Sequence, residues 1–198
     1  MNKHIIVSGL MSGTSGDGID ISLMKTNGLE FEILDNFYYE YDTFTKSKLL
    51  QCINHFNHDI ILNKNKIDSF VTQQHFKALK KSNFLKKTEL IGFHGQTLYH
   101  SPEKKLSIQS GNPQILSNLT KKRVVFNFRS KDLLLGGQGA PLAPIYHKLI
   151  VKKYNIIEPC CFINIGGISN LTYINKNDLI GFDTGPGNNL MDFFTKEL

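Results

Sequence analysis

With 198 residues, 40% of them hydrophobic and 20% charged, the chain has the apolar content of one sizeable domain or two small ones and nothing of a disordered segment. Its net charge of +6 comes from lysines scattered among Asn and Ile, without an Arg-rich block or a basic stripe interleaved with aromatics, which argues against nucleic-acid binding; no apolar run approaches the ~20 residues of a membrane helix. Cys52 and the adjacent Cys160 and Cys161 form neither a metal spacing nor an even disulfide set and suit a reducing compartment, and the start runs straight into a strand without a cleavable leader, so a cytoplasmic location is expected.

Ile5-Ile6-Val7 reads as a buried strand, and Ile19, Ile21 and Leu23 alternate as its partner. Between them Gly9 to Asp20 holds Gly13, Thr14, Ser15, Gly16, Asp17 and Gly18, a hairpin tip where backbone N–H groups can approach a ligand without a Cβ in the way. The hydroxyls of Thr14 and Ser15 suit phosphate oxygens, and Asp17 and Asp20 make most sense there holding Mg²⁺ through water. A Gly-rich hairpin with solvated acids is the alternative.

Glu30 to Tyr41 alternates as a third strand. Thr45 is expected to cap a helix burying Leu49, Leu50, Ile53 and Phe56, and Asn65 to open another with Ile67, Phe70, Val71 and Ala78 inside; His55, His58 and His75 are expected on the surface. Glu89 to Phe93 is a short buried strand leading into a polar stretch whose His94, Gln96 and Thr97 suit a polyhydroxylated ligand, unless they only satisfy their own loop. Asn112 and Pro113 mark a helix start before Ile115, Leu116 and Leu119. The strand Arg123 to Phe126 then delivers Arg129, a fork for a carboxylate or an ion-pair partner for Asp132, to the same end of the sheet as His94.

Gly136 to Pro144 is a second glycine-dense loop, Gly139 within it, feeding a helix through Ile145 to Ile150; ligand contact and a plain connection both fit it. After a connection at Asn155 to Glu158 the pattern restarts. Cys161 to Ile165 and Ile168 to Ile174 form a hairpin tipped by Gly166-Gly167, as two related domains clamping a nucleotide would require. Leu179 to Phe182 presents Asp183, a general base or a capping carboxylate, ahead of a helix starting near Asn189.

Five segments in order resemble the anhydro-N-acetylmuramic acid kinases of the superfamily that holds actin and the acetate and sugar kinases. They are Gly9 to Asp20, Gly92 to Thr97, Asn127 to Leu142, Asn164 to Asn170, and Gly181 to Asn188. The resemblance implies an α/β, actin-like ATPase (ribonuclease H-like) fold with a mixed sheet and flanking helices, residues 1–154 forming the first domain and 159–198 the truncated start of a second. It implies that ATP, Mg²⁺ and water convert 1,6-anhydro-N-acetylmuramic acid to N-acetylmuramic acid 6-phosphate in cell-wall recycling. Gly13, Thr14, Ser15, Gly16, Asp17, Gly18, Ile19 and Asp20 would then bind ATP with Gly166 and Gly167, and Asp17 the metal. His94, Gln96, Thr97, Arg129 and Gly139 would bind the sugar, and Asp183 would activate water.

Three positions depart from the family pattern: Gly16 replaces a larger apolar residue, Asn127 an aspartate and Ser110 an aliphatic residue. Gly16 is expected to loosen its loop, and Asn127 to remove a charge near the sugar. An incomplete second domain leaves the chain alone weakly active or inactive, with open sheet edges that favour a homodimer. The alternative functions are a non-catalytic sugar-binding remnant and a kinase for another small sugar.

Overall fold

The computed structural model describes residues 3–195, in which the chain forms two compact units, Met1–Gly139 and Ala140–Leu198. This division groups the helix after the second glycine-dense loop with the later strands, whereas the sequence pattern restarts only at Pro159.

The first unit opens with β1 (Ile5–Ser12), β2 (Gly18–Thr26) and β3 (Phe31–Glu40), then α1 (Thr43–Asn54), α2 (His58–Leu62) and α3 (Lys64–Lys81). β4 (Leu90–Ser101), β5 (Leu106–Ser110), α4 (Pro113–Thr120), β6 (Arg123–Phe126) and α5 (Ser130–Leu134) complete it. The sheet runs β3-β2-β1-β4, antiparallel across the first three strands and parallel from β1 to β4. This mixed α/β arrangement is the one expected. β6 pairs parallel with residues 90–93 of β4 and β5 antiparallel with residues 96–101, so β6 and β5 follow one another along β4.

Alternation decides which face is packed. Ile19, Ile21 and Leu23 of β2 are at most 1% exposed and meet Leu10, Ile91 and Phe93 of the sheet and Leu49, Val71, Ala78, Leu79 and Leu116 of the helices. Each such side chain contributes about 1.5–3 kcal/mol by leaving water. The opposite face leaves Met11, Asp20 and Val125 exposed.

Several local expectations change. α1 is capped by Asp42, whose Oδ1 accepts from Thr45 N at 2.7 Å, while Thr45 is buried. α3 starts at Lys64, and α4 buries Leu116 and Thr120 rather than Leu119; its Asn112 cap, accepting from Ile115 N at 3.0 Å, is as expected. His75 is wholly buried on α3, where burial pushes its pKa down to about 4; His55 and His58 are exposed. The polar stretch after Phe93 is strand, because β5 supplies pairing partners up to Ser101. Gly95 permits this: its φ is +71°, and a Cβ there would lie 2.1 Å from Ser110 O.

The second unit holds α6 (Ala143–Tyr154), β7 (Cys160–Ile165), β8 (Ile168–Asn175), β9 (Asp178–Pro186) and α7 (Asn188–Thr195), with an antiparallel sheet in the order β7-β8-β9. Residues 196–198, to which the last helix was expected to run, lie outside the described residues. α6 packs on one sheet face: His147 stacks on Phe162 at 4.5 Å and its Nδ1 contacts Thr172 Oγ1 at 2.9 Å. Gly181 gives the prolines room, since a Cβ there would lie 2.5 Å from Pro144 Cγ.

Candidate functional site

Where β6 ends and β5 begins along β4, a cavity of about 300 Å³ opens, lined by Lys64, Phe93, His94, Ser107, Gln109, Gly111, Asn127 and Ser130 among others. Hydroxyls, amides and one ammonium around aromatic rings suit a small polyhydroxylated ligand. Its wall is fixed from behind. Asp68 of α3 accepts from Ser110 Oγ at 2.7 Å and Gly111 N at 3.0 Å while pairing with Lys64 at 2.7 Å, and Thr72 Oγ1 accepts from Asn112 N at 2.7 Å. Ser110, a departure from the family pattern, thus supplies a buried hydrogen bond that an aliphatic residue could not make. Gly111 has φ +135°, and a Cβ there would sit 2.5 Å from the Phe93 ring.

Beside the cavity, Arg129 Nε donates to His94 Nε2 at 3.0 Å and Arg129 Nη1 to Gly139 O at 2.7 Å. Asp132 Oδ2 accepts from Gly139 N at 2.7 Å, so Arg129 and Asp132 grip opposite ends of one glycine residue instead of forming an ion pair with each other. Gly139 has φ +68°, which explains a glycine at this point. Burial, followed by the neighbouring Arg129 charge, pushes the His94 pKa down, and burial also lowers that of Arg129. Asn127, at φ 60°, accepts from Ser130 Oγ at 2.5 Å.

Gln96 lies in a different environment from the cavity. It is wholly buried: Oε1 accepts from Ser12 Oγ at 2.5 Å and Nε2 donates to Gly13 O at 3.1 Å, so its amide braces the first hairpin. Tyr41 adds to this brace, its hydroxyl donating to Ser12 Oγ at 3.1 Å, and burial pushes its pKa up to about 12. Thr97 faces Gln109, whose Nε2 stands 3.5 Å from Thr97 Oγ1.

At the hairpin tip Gly16 N donates to Gly13 O at 3.1 Å, and Thr14 and Ser15 are exposed. Gly16 is buried at φ +65° with Leu50 Cδ2 3.3 Å from where a Cβ would stand, so the turn at this glycine is packed against α1. Asp17 is ion-paired with Lys46, and its main chain accepts from Tyr41 N at 2.9 Å. Gly18 and Ile19 are buried at the start of β2; a Cβ on Gly18 would lie 2.4 Å from Tyr39 O. Desolvation pushes the Asp20 carboxyl up. Exposed hydroxyls on a glycine turn fit a phosphate chain. Asp17 fits Mg²⁺ held mainly by water and phosphate, and among the described residues no group of three His, Cys, Asp or Glu side chains forms a closed metal site.

In the second unit the Gly166-Gly167 turn is fastened to the entry of α7: Gly187 N donates to Gly167 O at 3.0 Å and Asn188 N to Gly166 O at 2.7 Å. Asp183 is exposed on β9, paired in register with Asn170 beside an irregularity. It lies within a strand that continues to Pro186, upstream of α7, so it does not cap that helix.

Lys64, Asp68 and Thr72, which build the cavity wall, escaped the reading of the sequence. The signal was present, since with His75 they form a polar stripe near helical spacing beside the apolar stripe of α3.

Comparison with known proteins agrees with this arrangement. The family described as "Anhydro-N-acetylmuramic acid kinase" matches residues 5–198. Proteins of that name from Pelagibacter ubique and Bradyrhizobium diazoefficiens are 42% and 37% identical, aligning with 97% and 94% of this chain and 54% of each relative. The chain therefore spans about half the length of the curated relatives it matches. Among solved structures, the Aquifex aeolicus PPX-GPPA enzyme aligns with a TM-score of 0.44 at 10% identity, covering 97% of this chain and 56% of that one. No helix among the described residues is long and apolar enough to cross a membrane. With the family's pattern matched from the first strand to the last residue, the chain belongs to the anhydro-N-acetylmuramic acid kinase family.

Proposed function

We propose that this chain carries the sugar pocket and the phosphate hairpin of an ATP-dependent kinase. That enzyme converts 1,6-anhydro-N-acetylmuramic acid and water to N-acetylmuramic acid 6-phosphate during peptidoglycan recycling in the cytoplasm. Family membership over residues 5–198 is the observation that carries this reading. The sugar occupies the cavity lined by Lys64, His94, Gln109 and Asn127, with Arg129 beside it for the lactyl carboxylate. Gly13 to Asp20 holds the ATP phosphates, where Mg²⁺ at Asp17 supplies charge neutralisation when bound. Asp183 takes a proton from the water that attacks C1, the anhydro bridge opens, and the freed O6 accepts the γ-phosphoryl group. Residues 1–154 serve as the first domain and 159–198 as the start of the second.

The test is incubation of the chain with ATP, Mg²⁺ and 1,6-anhydro-N-acetylmuramic acid, with mass spectrometry for the 6-phosphate and calorimetry for sugar binding. Binding of the sugar is the expected result, with slow turnover or none by this half-length chain. Failure to bind it overturns the reading.

A further inference from the structure

His94 lines the cavity, yet neither of its ring nitrogens is left for a ligand. Nδ1 stands 3.0 Å from the Gly95 carbonyl, which can only accept, so Nδ1 carries the proton. Nε2 stands 3.0 Å from Arg129 Nε, which can only donate, so Nε2 offers a lone pair. Both contacts select one neutral tautomer. Arg129 uses a second donor on Gly139 O, held in turn by Asp132, and among the described residues its other three N–H donors have no protein partner. Asn127 and Ser130, on either side of Arg129 in the chain, line the same cavity.

We propose that His94 is a positioning residue: as the neutral Nδ1–H tautomer it holds Arg129 through Nε, and thereby aims the remaining guanidinium donors at the carboxylate of the sugar in the adjoining cavity. The inference rests on the sugar reading above for the identity of the ligand, but the arrangement stands without one. A second proton on His94 would set Nε2–H against Arg129 Nε–H, two donors and two cations face to face. The charged and titratable groups around the ring oppose that proton on balance: Arg129 beside it, Lys64 across the cavity, and neutral His75 beneath Phe93. The nearest carboxylates, Asp68 and Asp132, are committed to Lys64 and Gly139. Burial and the Arg129 charge act in the same direction, keeping the ring neutral at pH 7.

The experiment uses the whole chain. Nitrogen-15 spectra of the ligand-free protein should show His94 protonated at Nδ1 only and a slowly exchanging Arg129 Nε–H, lost in His94→Ala and restored in His94→Gln, whose amide oxygen can accept. Calorimetry with 1,6-anhydro-N-acetylmuramic acid should show His94→Ala weakened roughly tenfold or more, the scale of one charge-assisted hydrogen bond, with His94→Gln close to the unaltered chain. Affinity of the unaltered chain should fall as the pH drops below 6, and that acid limb should vanish in His94→Gln. With 1,6-anhydro-N-acetylglucosamine, which has no carboxylate, His94→Ala should bind like the unaltered chain. A ring protonated at Nε2, unchanged Arg129 exchange in His94→Ala, or equal losses for both sugars would overturn the proposal. If neither sugar binds while the nitrogen signature holds, the sugar reading falls with its carboxylate, and the contact between His94 and Arg129 stands.

Discussion

The strands β1-β2-β3 and β7-β8-β9 are both antiparallel meanders whose first turn is tipped by glycine, yet they are completed differently. β1 has β2 on one side and β4 on the other, and its sheet closes over a core with α1, α3 and α4. β7 pairs only with β8 among the described residues. The face away from α6 leaves Ile163 at 68%, Ile165 at 61% and Phe182 at 47% exposure, with Ile163 and Phe182 both beside Leu171 in register. The turns also differ in what holds them. The first is braced by the side chain of Gln96, far along the chain, and the second by main-chain bonds from Gly187 and Asn188. A glycine-tipped meander is thus a starting unit whose stability comes from what closes over it.

The largest effect expected from this contrast is obtained by separating the units. Residues 1–139 should unfold cooperatively alone, because nearly all the buried apolar side chains belong to them. Residues 140–198, with Val151 and Ile174 as their buried hydrophobic residues besides Pro144, should show no cooperative thermal transition, bind a hydrophobic dye and self-associate along open edges. Circular dichroism melts and sedimentation of both pieces decide it. A sharp melt from 140–198 alone would break the comparison.

What was legible in the sequence follows from the range of the forces involved. Alternation at Ile19, Ile21 and Leu23, the Asn112-Pro113 start of α4 and both glycine-tipped hairpins are set by neighbours in the chain, and all of them read correctly. Asp42 and Thr45 each look like a cap; only the backbone placing Thr45 N on Asp42 Oδ1 decides between them. His75 reads as a surface residue among Gln73, Gln74 and Lys77, and only the packing of Phe93 against it, ring centroids 5.0 Å apart, shows it as core. Of the candidate site, the segments were legible and the directions of their side chains were not. A register irregularity between Leu10 and Ser12 turns Gln96 toward the hairpin, and no periodicity announces it.

The next effect sharpens the contrast by pH. His75 is buried in the first core with Nδ1 on Val71 O at 2.9 Å, and its Nε2 has no partner among the described residues, so charging it is opposed from every side. Its pKa is about 4 in the folded chain against 6.5 when unfolded. Stability from this group is therefore complete above pH 6.5 and lost as the pH falls toward 4, by about 3 kcal/mol in all. His94, also lowered, adds in the same sense. Urea titrations of the whole chain at pH 7.5 and 4.5 should show the loss, and His75→Leu should remove most of it. An equal acid sensitivity in His75→Leu would assign the effect elsewhere.

The smallest expected effect concerns the brace itself. Gln96→Leu keeps the volume but withdraws the donor from Gly13 O and the acceptor from Ser12 Oγ, leaving Gly16 N and Tyr41 OH as their remaining partners. Because neither group is left wholly unpaired, the cost should be about 2 kcal/mol, or a melting temperature lower by about 6 to 10 °C for a unit of this size. The local consequence is more telling than the global one. With Gly13 released, amide exchange at Thr14 and Ser15 should quicken while exchange at Gly166 and Gly167, held by main-chain bonds in the other unit, stays as it was. If both turns loosen together, Gln96 acts on the whole fold and the distinction between a turn held by a distant side chain and one held by its own strand fails.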